Sequence, residues 1–140
     1  MIQFMIPYPP SINHYYKRNK FGSIRVGDEG KAFRENVAVW YYQSATSRHI
    51  DSRNVLYPDG KLDVTITAYL PDNRKKRDAD NILKATLDAI THIRDYKICE
   101  SPWGDDSQIY KLTVVKVLRK DHNYNYGCVD IMIKAVDEEM

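Results

Sequence analysis

Apolar and polar residues alternate most regularly in residues 62–70, where every second side chain is apolar. A period of two over this length predicts a strand with one buried face. The apolar run at residues 1–6 predicts another strand, which ends at the prolines that follow because proline has no N–H to donate. Two further β-rich runs, residues 109–119 and 127–136, are joined by a polar turn and predict an antiparallel hairpin.

Two segments carry apolar residues at helical spacing. Asp28 is predicted to cap a helix that continues to about residue 47, and a second helix is predicted over residues 79–93. Asp78 lies near the cap of this second helix and Asp80 in its first turn, where the helix dipole favours negative charge. The predicted core-facing residues are Phe33, Val37, Trp40, Tyr41 and Ala45 in the first helix, and Ile82, Leu83, Thr86, Leu87 and Ile90 in the second.

Residues 14–19 and 23–26 flank Lys20-Phe21-Gly22 and predict a short hairpin rich in tyrosine and cations. It is either a flexible, solvated hairpin or a flap that lies along a phosphate backbone or stacks on unpaired bases. With this order of elements, residues 1–140 are predicted to form a single α+β domain. Its expected architecture has two layers, a mixed sheet and two main helices packed on one face.

Composition narrows the class of protein. The net charge of +2 does not by itself require a nucleic-acid partner, but the cations cluster at residues 17–25 and 74–77. The two cysteines and four histidines lack the spacing of a zinc site, which favours a reduced intracellular protein. No apolar stretch reaches the roughly 18 residues of a membrane helix, and the N-terminus lacks a basic signal region, so we expect a cytoplasmic protein with no membrane partner.

The candidate chemistry lies in residues 73–84, where four cations directly precede Asp78 and Asp80. The cations attract a polyanion, whereas the carboxylates repel it unless a metal ion lies between them. Because carboxylate and phosphate oxygens can share one Mg²⁺, this order indicates metal-dependent chemistry on a nucleic-acid phosphate. The four cations, Arg74, Lys75, Lys76 and Arg77, are either a solvated charged run or phosphate clamps.

Each candidate residue also has a purely structural interpretation. In that interpretation Asp78 is simply a helix cap. Lys84 then forms an ion pair with Asp80 one turn earlier, which is worth about 0.2–0.5 kcal/mol. In a phosphodiesterase site, Lys84 would bind the scissile phosphate or stabilise its developing charge. A third carboxylate for the metal is available at Asp105 or Asp106, and their residue types alone do not choose between them.

Three motifs in this order resemble the RusA family of Holliday junction resolvases. They are P-P-S-I-N-H-Y-Y at residues 9–16, R-D-A-D-N-I-L-K at residues 77–84 with D-A-I following, and D-D-S-Q-I at residues 105–109. The resemblance implies a bacterial or phage-encoded homodimeric endonuclease that binds four-way DNA junctions and makes paired symmetric nicks with Mg²⁺, or Mn²⁺ as a substitute. It places the metal ligands at Asp78, Asp80 and Asp106 and the essential lysine at Lys84. The residues expected to contact DNA are Asn13, Tyr16, Lys17, Arg18, Arg74, Lys75, Lys76 and Arg77.

Two other functions remain open at this level. A module that binds branched DNA without cutting it would account for the basic clusters, but it leaves the acidic pairs without a role. A metal-dependent phosphohydrolase acting on nucleotides would use the carboxylates on a smaller substrate. Product formation on a junction, or phosphate release from nucleotides, separates these alternatives.

Overall fold

The computed structural model describes residues 1–74 and 77–138. Within them the chain forms six strands, three α-helices and four 3₁₀ turns. The strands are β1 (Ile2–Pro7), β2 (Tyr16–Arg18), β3 (Ile24–Val26), β4 (Leu62–Tyr69), β5 (Ile109–Val117) and β6 (Cys128–Ala135). The helices are α1 (Ile12–Tyr15), α2 (Asp28–Ser47) and α3 (Ala79–Thr91), and the 3₁₀ turns are Ile93–Tyr96, Asp106–Gln108, Arg119–Asp121 and Val136–Glu138.

The main sheet has the strand order β1-β6-β4-β5. Strand β6 is antiparallel to both β1 and β4, whereas β5 is parallel to β4. Strands β2 and β3 form a separate antiparallel hairpin. The α+β class with a mixed sheet and two main helices is therefore confirmed.

One hydrophobic core lies between the sheet and the helices α2 and α3. The alternating residues of β4 and its continuation are fully buried there, as their period of two predicts. The stripe on α2 is also buried, with one exception. The buried members of these two sets are Leu62, Val64, Ile66, Ala68 and Leu70, and Phe33, Val37, Tyr41 and Ala45.

The exception is Trp40, which is 38% exposed and does not belong to the core cluster. At about 100° per residue, the buried residues of α2 cover an arc from Phe33 to Ala38. Trp40 lies roughly 90° from the centre of that arc, so the prediction that it is a core residue is wrong. The N-cap of α2 lies one residue before the predicted Asp28, since Gly27 is the N-cap and Asp28 is the first helical residue.

The predicted C-terminal hairpin is also wrong, because β4 lies between β5 and β6. Strand β5 pairs only along one edge within the described sheet and is largely exposed, whereas β6 pairs on both edges and buries Val129, Ile131 and Ile133. Because the inward residues of β6 are apolar, this strand is stabilised at the centre of the sheet, where that face is buried. Residues 118–127 are long enough to pass across the end of β4, unlike the two- to five-residue loop of a tight hairpin.

Helix α3 connects the parallel strands β4 and β5 and therefore runs back along the sheet between them. Its N-terminus lies at the end of β4, and its C-terminus lies near the start of β5. The buried Trp103 fixes this second end, donating from Nε1 to Thr91 Oγ1 over 2.9 Å. With 13 residues, α3 is about 20 Å long, and the loops at its two ends are separated accordingly.

Both cysteines are free thiols. Burial raises the pKa of Cys99 and of Cys128 to about 11, so both thiols are protonated at neutral pH. In the part of the chain that the structure describes, no helix has the length and apolar character needed to cross a membrane.

Candidate functional site

The N-terminus of α3 presents two carboxylates to solvent. Asp78 is the N-cap, and its Oδ1 accepts a hydrogen bond from the backbone N–H of Asp80 over 3.0 Å. This contact confirms the capping role and engages one of the two oxygens of Asp78. Both side chains are exposed and lie at the positive end of the helix dipole, which stabilises them as anions.

Lys84 lies one turn further along α3 and contacts the hairpin. Its Nζ is 5.2 Å from the centre of the Tyr16 ring, within the range of a cation–π interaction. Tyr16 packs edge-on against the buried Tyr15 with the ring centres 4.7 Å apart. The basic hairpin β2–β3, which carries Lys17 and Arg18, therefore lies against α3 at Lys84, one turn from Asp80.

Two of the predicted phosphate clamps are held by an acid that the sequence did not single out, Asp72. Arg77 donates to both oxygens of Asp72, over 3.0 and 2.6 Å, and lies with its guanidinium 5.4 Å from the Tyr8 ring centre. The hydrogen bonds from Arg77 hold the pKa of Asp72 well below its ordinary value. Arg74 also donates to Asp72, but its side chain is 72% exposed against 26% for Arg77.

Arg77 is thus a positioned cation, while Arg74 extends into solvent. Lys75 and Lys76, the other two predicted clamps, lie outside the described residues.

Two of the sequence motifs meet in space. A cavity of about 270 Å³ lies between the proline-rich loop after β1 and the start of α3. Residues 9–11 line this cavity together with Asp78 and Asn81. The full lining consists of Tyr8, Pro9, Pro10, Ser11, Arg74, Arg77, Asp78, Asn81 and Ile82.

Asp105 and Asp106 are both exposed, but they differ in their hydrogen bonds. Asp105 caps a 3₁₀ turn by accepting from the backbone N–H of Ser107. Hydrogen bonds from the side chain and the backbone of Ser107 lower the pKa of Asp105. Gln108 completes this capping box by accepting from the backbone N–H of Asp105 over 2.8 Å. Asp106 is the first residue of the turn and has an exposed side chain. Of the two, Asp106 is therefore the carboxylate better placed to bind a ligand.

Asp106 lies at the opposite end of α3 from Asp78 and Asp80. Its turn leads into the start of β5, and Gln108 ties that turn to the residues before β4 by donating to Tyr57 O over 3.0 Å. Among residues 1–74 and 77–138, no group of three or more His, Cys, Asp or Glu side chains is placed to hold a metal ion. One chain thus brings together Asp78, Asp80 and Lys84, but not the third predicted ligand.

A semi-buried charged network connects the three helices. Asp88 of α3 accepts hydrogen bonds from Tyr15 of α1 and from Arg34 of α2, and the Arg34 Nη2–Asp88 Oδ2 distance is 2.5 Å. Burial is the main cause that raises the pKa of Tyr15 above its ordinary value. The sequence pattern alone did not identify this network. The sequence feature that could have indicated a buried role for Asp88 is its position one turn after Lys84 on a strongly amphipathic helix. Nothing in the sequence indicated that Arg34 is its partner.

Exposed carboxylates, a positioned arginine and an aromatic, basic hairpin on one surface are typical of a protein that binds a nucleic-acid backbone through a metal ion. The comparisons with known proteins specify this class.

The family model described as Endodeoxyribonuclease RusA matches residues 7–134. A relative from Escherichia coli named Crossover junction endodeoxyribonuclease RusA is 36% identical over 115 residues, covering 80% of this chain and 79% of the relative. The proteins of the same name from Shigella sonnei and Enterobacteria phage 82 are 34% and 33% identical, with the same coverage. The chain belongs to the RusA family of endodeoxyribonucleases, and the prediction of an enzyme of this class is confirmed.

Proposed function

We propose that this protein is a Mg²⁺-dependent, structure-specific endodeoxyribonuclease that resolves four-way DNA junctions by paired symmetric nicks, acting as a homodimer. The observation that carries the proposal is the grouping of Asp78, Asp80 and Lys84 at the start of α3, beside the basic hairpin. The relatives named as crossover junction endodeoxyribonucleases support the same substrate class.

The donors fit a hard divalent cation. Mg²⁺ is commonly held by one or two carboxylates together with waters and substrate phosphate oxygens, and Mn²⁺ accepts the same ligands. Asp78 and Asp80 supply two exposed carboxylates that one ion and one DNA phosphate can share. When bound, the ion would activate a water molecule and polarise the phosphate.

The cations of the chain have separate roles in this proposal. Lys84 stabilises the negative charge that develops on the scissile phosphate, since it lies one turn from Asp80. Arg77, held by Asp72, binds a neighbouring phosphate without first losing the conformational freedom of a long side chain. Lys17 and Arg18 on the hairpin bind the backbone further from the reacting atoms.

The position of Asp106 supports a dimer. Metal–oxygen bonds to Mg²⁺ are about 2.1 Å long, whereas within one chain Asp106 lies at the opposite end of α3, a helix about 20 Å long, from Asp78 and Asp80. A second copy can supply its Asp106 to the first copy's carboxylates. The edge strand β5 presents the exposed apolar residues Tyr110 and Leu112, as expected of an edge that another chain covers. Two such sites match the two-fold symmetry of paired nicks.

The test is cleavage of a labelled four-way junction with a Mg²⁺ titration. We expect nicks that require the metal, and a loss of at least about 100-fold in rate for Asp80→Asn with junction binding retained. Asp28→Asn is the matched control, because Asp28 is also an exposed acid in the first turn of a helix. Binding without product in Mg²⁺ would instead identify a non-cleaving module. Phosphate release from nucleotides with junctions left intact would identify a phosphohydrolase.

A further inference from the structure

A second cavity, of about 480 Å³, lies between the hairpin β2–β3 and helix α3. It is distinct from the smaller cavity at the proline-rich loop, and Lys84 forms part of its wall. The residues that line it are Ile12, Asn13, Tyr16, Lys17, Arg18, Ile24 and Lys84.

The lining combines three kinds of chemistry that a nucleotide needs. Ile12, Tyr16 and Ile24 offer apolar and aromatic surface for the face of a base, and Asn13 offers an amide for its edge. Three cations around the cavity complement a phosphate. Ile24 is 62% exposed although it lies on a hairpin dominated by cations, so its apolar surface is available to a ligand.

The walls of the cavity are held in place. At the hairpin turn, Asn19 Oδ1 accepts from the backbone N–H groups of Phe21 and Ser23, over 2.9 and 3.1 Å. On the other side, Tyr16 packs against the buried Tyr15, while Lys84 lies over the Tyr16 ring. A ligand would therefore enter a largely preformed site rather than order a flexible loop.

We propose that this cavity accepts one unstacked nucleotide from the branch point of the DNA substrate. In continuous duplex, both faces of every base are covered by stacking, and exposing one costs a few kcal/mol, least where the base is already unpaired. A four-way junction keeps its bases paired, but the continuous stack is interrupted at the branch point, so a base there can be exposed at a lower cost than within duplex. The inference rests on the proposed function and adds a physical basis for its selectivity.

Lys84 connects the cavity to the carboxylates. It lines the cavity and lies one turn from Asp80, so the captured nucleotide is adjacent to the phosphate that is cut. Occupation of the cavity by the base would place that phosphate against Lys84. Duplex DNA, which leaves the cavity empty, would bind through the surrounding cations without this placement.

The experiment compares binding of an intact four-way junction with binding of junctions that carry a single abasic residue at each nucleotide flanking the mapped nick. All proteins carry Asp80→Asn, so that Mg²⁺ is present without cleavage. Ile24→Ser removes exposed apolar surface from the cavity, and Ile98→Ser changes an exposed isoleucine elsewhere as the matched control.

We expect Ile24→Ser to weaken binding of the intact junction about 5- to 20-fold. On one of the abasic junctions the substitution should have no effect, because the base that Ile24 contacts is missing there. Ile98→Ser should change neither. Cleavage of the intact junction by the chain without Asp80→Asn is measured in parallel. If that chain cuts the junction, equal effects of Ile24→Ser on all junctions, or no effect on any, would overturn the cavity assignment and leave the proposed function in place. Failure of that unsubstituted chain to cut the junction would refute the proposed function itself.

Discussion

At the scale of single residues, the positions of Lys84 and Arg77 depend on neighbours that the sequence does not place next to them. Lys84 lies over Tyr16, and Arg77 is held by Asp72 and Tyr8. A long cationic side chain loses conformational entropy when it binds a phosphate, and these contacts remove part of that loss beforehand. Both cations are therefore better placed for a defined role than the exposed Arg74.

Replacement of Lys84 by Ala should reduce the rate of the nicking step about 100-fold, with a much smaller change in junction affinity. The reason is that a lysine next to the scissile phosphate acts mainly on the charge that develops in the transition state. Single-turnover cleavage separates this rate from binding. The control is Lys31→Ala, which alters an exposed lysine on α2. Equal losses for both variants would show that Lys84 contributes only general positive charge.

Asp72 should make the stability of the protein depend on acid pH. Its pKa is lowered in the folded state by Arg77, so its contribution is fully present above the ordinary pKa of about 4 and is lost as the pH falls toward the folded pKa. Between about pH 5 and pH 3, the free energy of unfolding should fall less for Asp72→Asn than for the wild type. Denaturant titrations across this range measure the difference. For the control Asp59→Asn, which removes an exposed acid elsewhere, the free energy of unfolding should depend on pH as it does in the wild type. The same pH dependence in the wild type and both variants would contradict the stabilising role of Asp72.

At the scale of elements, the network of Asp88, Arg34 and Tyr15 fixes the helices relative to one another. Helix α1 is a single turn and has too few residues to be stable alone, so its position depends on such contacts. Through Tyr15 the network also supports Tyr16 and the wall of the larger cavity.

Replacement of Asp88 by Ala should lower the free energy of unfolding by about 1–3 kcal/mol, because Arg34 and the Tyr15 hydroxyl lose a partner in a mostly buried position. Urea denaturation measures the change. Glu35→Ala removes an exposed acid next to Arg34 and should change stability by less than about 0.5 kcal/mol. A similar small change for Asp88→Ala would show that the network does not hold the helices together.

Elements with strong periodicity were predictable, and their pairing was not. Strand β4 and helices α2 and α3 follow directly from apolar residues at spacings of two and of three to four. The position of β6 between β1 and β4 depends on contacts between residues about 60 or more positions apart, which local pattern does not contain. Helix α1 was missed because four residues are too few to show helical spacing.

At the scale of the whole molecule, the sequence identified the candidate carboxylates, but it could not show how far apart they lie. The motifs gave Asp78, Asp80 and Asp106 as one set. The crossover from β4 through α3 to β5 puts the last of them at the other end of the helix. Spacing along the chain carries no information on this separation, which is a property of the parallel pairing of β4 with β5. The homodimer follows from that separation if all three acids bind one ion.

The measurement that tests this proposal most directly mixes chains carrying Asp80→Asn with chains carrying Asp106→Asn, each inactive alone, and assays junction cleavage in Mg²⁺. If Asp106 comes from the second copy, each mixed dimer contains one site with all three acids intact. Mixing should then restore about a quarter of the wild-type nicking rate, as single nicks rather than paired ones. If mixed dimers form, as judged by a tag on one chain, and no nicking returns while the wild type remains active, a metal site shared between two chains is contradicted.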